Sequence, residues 1–188
     1  IQFTFPKPLG YYRPLSESLL GMSLKSQDSL YKFILINSNT TRGRQHFTIA
    51  HEIYHVFFGS EEFVSKVEFV DDHYYEHEGE YAANLFAGML LMPEVSFRRM
   101  YSKFKDESEE DEIGAIVRLM SYYQVPYMAV LIRCLELGLI EGNAKLDVMF
   151  SIDRAQVKKQ LTELWLDESI MEPSLRDDYS HIEALVGR

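Results

Sequence analysis

One cysteine, Cys134, is present among 188 residues. It cannot close a disulfide within the chain, so neither a disulfide scaffold nor an oxidising compartment is indicated. Long apolar runs are missing too, none approaching the ~20 residues needed to cross a bilayer. The opening Ile1-Gln2-Phe3-Thr4-Phe5-Pro6 has no basic n-region and no apolar h-region, so it does not read as a signal peptide. The first residue is not methionine, so an N-terminal segment of the natural protein is expected to be missing and targeting stays open. Cytoplasmic is the default expectation, with no membrane partner. Basic residues are scarce, 19 against 29 acidic ones for a net charge of -10. Neutralising phosphates needs clustered Lys and Arg, so direct nucleic-acid binding by this chain is not expected.

The rest of the composition is that of a globular protein, 46% hydrophobic and 26% charged. A chain of this length can bury a core without staples and makes one domain, or one domain with an appendage. The first forty residues read as strands and turns. Lys32–Ile36 is a short β-rich run, Leu19–Leu24 is its expected hairpin partner, and Pro6, Pro8 and Pro14 confine the opening stretch to edges and loops. A small antiparallel sheet is predicted. From Thr41 the period changes. Phe47, Ile49, Ala50, Ile53, Tyr54, Val56, Phe57 and Phe58 cover most of a helix circumference, Asn37–Thr41 offers N-caps, and Gly59 supplies a stop. Such a helix is a buried one, and the polar residues inside it need an explanation.

Ser60–Gly79 is a polar connection rich in aromatics. Helices are predicted over Gly79–Met92, from Pro93 onward through Val95, Phe97, Met100 and Tyr101, then over Ile113–Tyr123 and Pro126–Leu137. Asp106–Glu112 carries six acids in seven residues and reads as a solvated stretch before a helix N-terminus. Leu146–Ile152 reads as a strand, followed by a helix with Val157, Leu161, Leu164 and Trp165 on its apolar side. The last ~20 residues are read as a docked tail. The predicted class is α+β. Residues 1–142 form one domain (sheet 1–40, helices 41–142), and residues 143–188 form an extension of unassigned role.

Two histidines and a glutamate stand out in the first helix, in the run His51-Glu52-Ile53-Tyr54-His55. Residues four apart lie one turn above each other, so both imidazoles reach one side and can share one metal ion. Glu52 stands about 100° round from His51, beside the ion's place, where it can take a proton from an activated water. Chance assembly of this pattern in such a composition is expected only about 0.02 times, so it is informative without being decisive. The plain alternative is a pair of packed histidines. A second helix adds weight, because Glu80 and Asn84 are also four apart among Ala82, Ala83, Phe86 and Ala87. A carboxylate in such a helix is costly unless paired or bound to a cation. Glu80 is therefore the candidate third ligand. Asn84 is the candidate partner for the far nitrogen of a ligating histidine, or for the Glu80 carboxylate.

Three blocks carry a family resemblance. Arg44–His55 resembles the signature helix of the ImmA/IrrE metallopeptidases. Glu80-Tyr81-Ala82-Ala83-Asn84-Leu85-Phe86-Ala87 with Leu90-Leu91-Met92-Pro93 is similar to that family's second signature. Tyr123–Pro126, Ala129–Arg133 and Leu137–Ile140 resemble its C-terminal helical pair, with Pro126 standing where a small polar residue is expected. The resemblance spans roughly Leu30–Ile140. It implies a compact gluzincin-like α+β domain, zinc (or another divalent ion such as Mn2+) held by His51, His55 and Glu80, and Glu52 as general base. It implies a bacterial or phage-related protease acting on a regulatory protein such as a helix-turn-helix transcriptional repressor.

In peptide hydrolysis the tetrahedral intermediate formed at the substrate carbonyl needs a donor besides the metal, for which Tyr74, Tyr75, His73, His77 and Tyr12 are candidates. Arg44 and His46 read as structural, and His181 has no assigned role. A second functional class stays in view, a non-catalytic metal-stabilised module that binds or senses a repressor or antitoxin. An intact Glu52 favours the enzyme. His73 or His77 closing the open coordination position would favour the module.

Overall fold

The structure, a computed structural model, describes residues 9–16, 18–25, 32–59, 65–69, 78–108, 111–141 and 143–178. Strands β1 (Leu9–Arg13), β2 (Leu19–Lys25), β3 (Lys32–Asn37) and β4 (Ser65–Phe69) form one sheet. Helices α1 (Arg42–Phe58), α2 (Glu78–Leu91), α3 (Glu94–Glu107), α4 (Glu112–Tyr123), α5 (Tyr127–Glu136), α6 (Asn143–Phe150) and α7 (Arg154–Glu163) follow the class expected of the sequence, α+β. Two compact units are distinguished, Ile1–Ala87 with Pro173–Arg188, and Gly88–Glu172. The boundary at residue 88 falls within α2. No single described helix is long and apolar enough to cross a membrane.

In the first unit the sheet order is β1-β3-β2-β4. The predicted β2–β3 hairpin is present, with Gly21 opposite Ile36 and Ser23 opposite Ile34. The sheet is nevertheless mixed and not purely antiparallel, because β1 pairs parallel with β3, Tyr11 opposite Leu35. The reason is an insertion. β1 and β2 run in opposite directions, but β3 lies between them, so the turn joining them must straddle the end of β3. Asn37, fully buried at that end, holds it. Its Nδ2 donates to the carbonyls of Ser16 (2.7 Å) and Leu19 (2.6 Å), and its Oδ1 accepts from the amides of Leu15 and Asn39 (both 2.9 Å). All four hydrogen-bonding positions of the amide are used, as a buried amide requires.

Helix α1 lies on the sheet. Ile34 and Ile36 of β3 pack with Val56, Ile49 and Ile53, and with Tyr12 of β1. Thr41 is the N-cap, its side chain accepting from the Arg44 amide at 3.3 Å. Gly59 ends the helix as expected but for a different reason. Its φ is -63°, not left-handed, and a Cβ there would collide with the carbonyl oxygen of His55. The apolar circumference is only partly covered, since Phe57 and Phe58 at the C-terminal end are exposed.

The tail docks on this unit. Thr41 and Pro173 form an isolated antiparallel bridge, the Leu175 amide donates to Ser38 O (3.0 Å), and the Asp178 amide donates to Tyr12 O (2.9 Å). The Arg176 guanidinium lies 4.7 Å from the Tyr12 ring centre.

The second unit is helical around α4, whose Ala115, Ile116, Val117, Leu119 and Met120 are all buried. Asp111 caps it, accepting from the Ile113 and Gly114 amides (both 3.1 Å). The acidic run therefore splits. Asp106 and Glu107 finish α3, while Asp111 and Glu112 begin α4. Of the apolar residues carried by the helix after Pro93, Val95 is exposed, whereas Phe97, Met100 and Tyr101 are buried.

Helix α6 covers residues 146–150 of the Leu146–Ile152 stretch predicted as a strand. Leu146, Val148 and Phe150 alternate like a strand, but the core receives Leu146 and Met149, at helical spacing, and Val148 and Phe150 face out. Helix α7 begins with a capping box between Asp153 and Gln156 and buries Val157 and Leu161. Trp165 is almost wholly exposed in the left-handed region, φ 57°, where a Schellman-type turn ends the helix.

Cys134 is fully buried in this helical core, and burial pushes its thiol from 9.0 up to about 12. Tyr101 and Tyr127 are likewise pushed up to about 12 by burial. A raised folded-state value favours the neutral, protonated form. Its stability contribution is complete below the unfolded thiol's ordinary value of 9.0 and is lost as pH rises toward 12. Two outcomes are expected. The native protein resists a thiol reagent at pH 8 until denaturant unfolds the helical unit, and urea midpoints fall steadily above pH 9. Fast thiol labelling of the native chain would contradict this burial.

Candidate metal centre

The two histidines of α1 and the carboxylate of α2 meet in the first unit. His51 Nε2 lies 3.0 Å from His55 Nε2 and 3.1 Å from Glu80 Oε2, and His55 Nε2 lies 3.6 Å from that same oxygen. His51 and His55 are buried and Glu80 is partly so. Each of these atoms can offer a lone pair to a shared cation. Without a proton or cation among them, such atoms repel. A tetrahedral ion with bonds of ~2.0–2.2 Å sets its donors about 3.3 Å apart, and the three separations scatter about that value. Donor type, number and spacing thus fit a divalent ion held by three protein groups among the described residues.

The far side of His51 is fixed as well. Its Nδ1 lies 2.9 Å from Asn84 Oδ1. An amide oxygen only accepts, so Nδ1 carries the proton and Nε2 keeps its lone pair toward the cluster. Asn84 thereby takes the first of its two predicted roles. It reaches this place because Glu80, Ala83, Asn84 and Ala87 form one stripe of α2 at spacings of three and four. Ala83 and Ala87 are fully buried.

The helices meet through side chains. Beside the polar contacts, Tyr54 and Phe58 of α1 hold Phe86 of α2, ring centres 5.7 and 5.6 Å apart. The Tyr54 ring also stands edge-on to His55 at 5.7 Å. This aromatic contact was not read from the sequence, although Tyr54 and Phe58 share a face at spacing four.

Glu52 is buried on the side of α1 that faces the sheet. A Cβ placed on Gly21 of β2 would lie 3.5 Å from Glu52 Oε1. The carboxylate therefore sits between helix and sheet, next to the ligand turn and not exposed to solvent.

Other candidates fall elsewhere. Tyr12 lies in the sheet with Arg176 and Asp178, its hydroxyl pKa raised chiefly by burial. His46 is half-buried on α1 and outside the cluster, and Arg44 is exposed. His73, Tyr74, Tyr75, His77 and His181 lie outside the described residues.

A network at the start of α1 also escaped sequence reading. Gln45 Nε2 donates to the carbonyls of Ser38 (3.2 Å) and Thr40 (2.6 Å), while Ser174 Oγ donates to Gln45 Oε1 (2.8 Å). A buried glutamine nearly two turns before the ligands was the available signal; its partner from the tail was not.

Replacing Asn84 with Ala should leave folding intact and weaken divalent-metal affinity about 10–100-fold, the usual effect of losing a histidine's outer partner. Competition with a chromogenic chelator measures it. Asn84→Asp, which keeps an acceptor, should retain more affinity than Asn84→Ala; equal loss would show that the accepting oxygen is irrelevant.

A peptidase-family model described as "IrrE N-terminal-like domain" matches residues 12–135, about two thirds of the chain. His51, Glu52, His55, Glu80 and Asn84 all fall inside the match. No curated protein matches the chain.

Proposed function

Because the chain belongs to the IrrE N-terminal-like peptidase family, we propose that it is a zinc-dependent endopeptidase acting on one regulatory protein. The observation that carries this is the convergence of His51, His55 and Glu80, with Glu52 one residue along the same helix. Bound there, a divalent ion supplies a Lewis acid and lowers the pKa of a coordinated water toward 7.

The chain's own groups do the rest. His51 and His55 present neutral imidazole nitrogens, and Asn84 holds the His51 ring in its orientation. Glu52 takes a proton from the attacking water and delivers it to the leaving amine, one group serving as base and then acid. Its burial keeps that carboxylate in one place and away from bulk solvent. A purely structural site has no use for a base beside it, which favours the hydrolase over a non-catalytic binding or sensing module.

The resemblance to ImmA/IrrE proteases supports a helix-turn-helix repressor as the substrate, cleaved in a bacterial cytoplasm. The reading places the peptidase within residues 1–142, with 143–188 appended.

Glu52→Gln should keep its metal and its fold while hydrolysis falls at least ~100-fold, the low end of what a positioned base contributes. Glu80→Ala should instead lose metal. Mass spectrometry of native protein for metal content, beside cleavage assays, separates the two effects. The inactive Glu52→Gln form then serves to capture the substrate, and the wild type must cleave whatever it captures. Hydrolysis at the wild-type rate by Glu52→Gln would overturn the mechanism. A captured repressor left intact by the wild type would overturn the substrate assignment.

A further inference from the structure

The face of the sheet under α1 is uneven. Directly opposite residues of an antiparallel pair share a face, so Gly21 and Ser23 of β2 lie on the same side as Ile36 and Ile34 of β3. On that side β3 presents two large aliphatic residues, which pack with Ile49, Ile53 and Val56. Opposite them β2 presents a glycine and a serine. Glycine in a strand interior is unfavourable in itself, and it marks a place where something approaches the backbone closely.

Here the approaching groups are identifiable. A Cβ on Gly21 would lie 2.6 Å from Thr48 Cγ2, 3.3 Å from the carbonyl oxygen of Leu35 and 3.5 Å from Glu52 Oε1. Thr48 is buried and β-branched, so its methyl has little freedom to swing aside. Leu35 O belongs to the neighbouring strand and blocks escape on the other side. Thr48 and Glu52 are one turn apart on α1, so pushing on the first carries the second with it. The register against β4 shifts between Leu19 and Gly21, at the same point.

We infer that Gly21 is a positioning residue for Glu52: its missing side chain lets the Thr48–Glu52 turn of α1 seat on β2, and that seating sets where the carboxylate stands. The consequence for turnover rests on the peptidase reading above; the consequence for the place of Glu52 does not.

The test compares Gly21→Ala, Thr48→Ser, and the double variants Gly21→Ala/Thr48→Ser and Gly21→Ala/Thr48→Val. Serine removes the methyl that a Cβ would strike, whereas valine keeps one. Crystal structures of the metal-free proteins report the Glu52 carboxylate directly. Chelator competition reports metal binding. Turnover is measured on the most rapidly cleaved member of a fluorogenic random-peptide library.

Gly21→Ala should displace the Thr48–Glu52 turn and cut kcat about 10–100-fold, the scale expected for misplacing a catalytic group by about 1 Å. KM and metal affinity should stay within about threefold of wild type. The Ser double variant should return both the carboxylate and kcat to those of Thr48→Ser alone, and the Val double variant should not. If Gly21→Ala does not fold, the same comparison of the Ser double variant with Thr48→Ser decides.

An unmoved carboxylate in Gly21→Ala, or equal behaviour of the Ser and Val double variants, overturns the inference. Displacement of Glu52 together with undiminished hydrolysis in Glu52→Gln would overturn the peptidase mechanism and leave the positioning intact.

Discussion

Three lone-pair-bearing atoms, two imidazole nitrogens and one carboxylate oxygen, are held within 3.0 to 3.6 Å of one another in a largely buried place. Nothing apolar can relieve that arrangement; a proton or a cation must. The geometry of the first unit is organised around keeping it in being. Helix α1 supplies two of the atoms from one face, α2 supplies the third, and Asn84 prevents the His51 ring from turning its lone pair away. Each element is short of side-chain freedom where it matters. The His51 ring is held at Nδ1 by an amide that is itself on the ligand-bearing stripe of α2.

Keeping α1 in register is then the main structural task, and its two ends do it differently. The beginning is fastened by polar contacts. Thr41 caps it, Gln45 grips the turn that leads out of β3, and Pro173 and Ser174 of the tail reach Thr41 and Gln45. Buried amides of this kind are costly if left unsatisfied, so such contacts fix position as much as they add stability. Toward the C-terminal end the contacts become apolar and aromatic, through Val56 to the sheet and through Tyr54 and Phe58 to Phe86. The ligand turn lies between a polar anchor and an apolar one.

Much of this was legible in the sequence, because the signals were local. Residues four apart on one helix share a face whatever surrounds them, so His51 with His55, and Glu80 with Asn84, could be paired before any coordinates were known. Helix limits set by Thr41, Gly59, Pro93 and Asp111 or its neighbours were similarly readable. What escaped was non-local. The insertion of β3 between β1 and β2 turns an expected antiparallel sheet into a mixed one, and nothing in the strands' own composition announces it. The amide of Asn37 makes that topology possible, yet in sequence it reads as one more turn residue. Leu146, Val148 and Phe150 gave a true alternation and a false strand, since only the packing partner decides which period is used. The tail's docking place on Ser38, Gln45 and Tyr12 joins residues more than a hundred positions apart.

The sheet beneath α1 shows how these levels combine. A helix that carries a buried carboxylate cannot rest on an evenly apolar surface, since aliphatic side chains would both fill the space the carboxylate needs and desolvate it without return. Nor can it rest on a polar surface, since the same helix must bury Ile49, Ile53 and Val56 to stay in place. The sheet resolves this by strand, with large aliphatic residues on β3 and small ones on β2, so that one helix meets two surfaces along its two sides. On this argument the paired positions Gly21/Ile36 and Ser23/Ile34 are not interchangeable. Exchanging large for small across the pair would conserve volume and hydrophobicity in the sheet while placing an isoleucine where Thr48 and Glu52 now stand. Core composition alone therefore cannot specify this unit; the strand on which each residue stands is part of the design of the site.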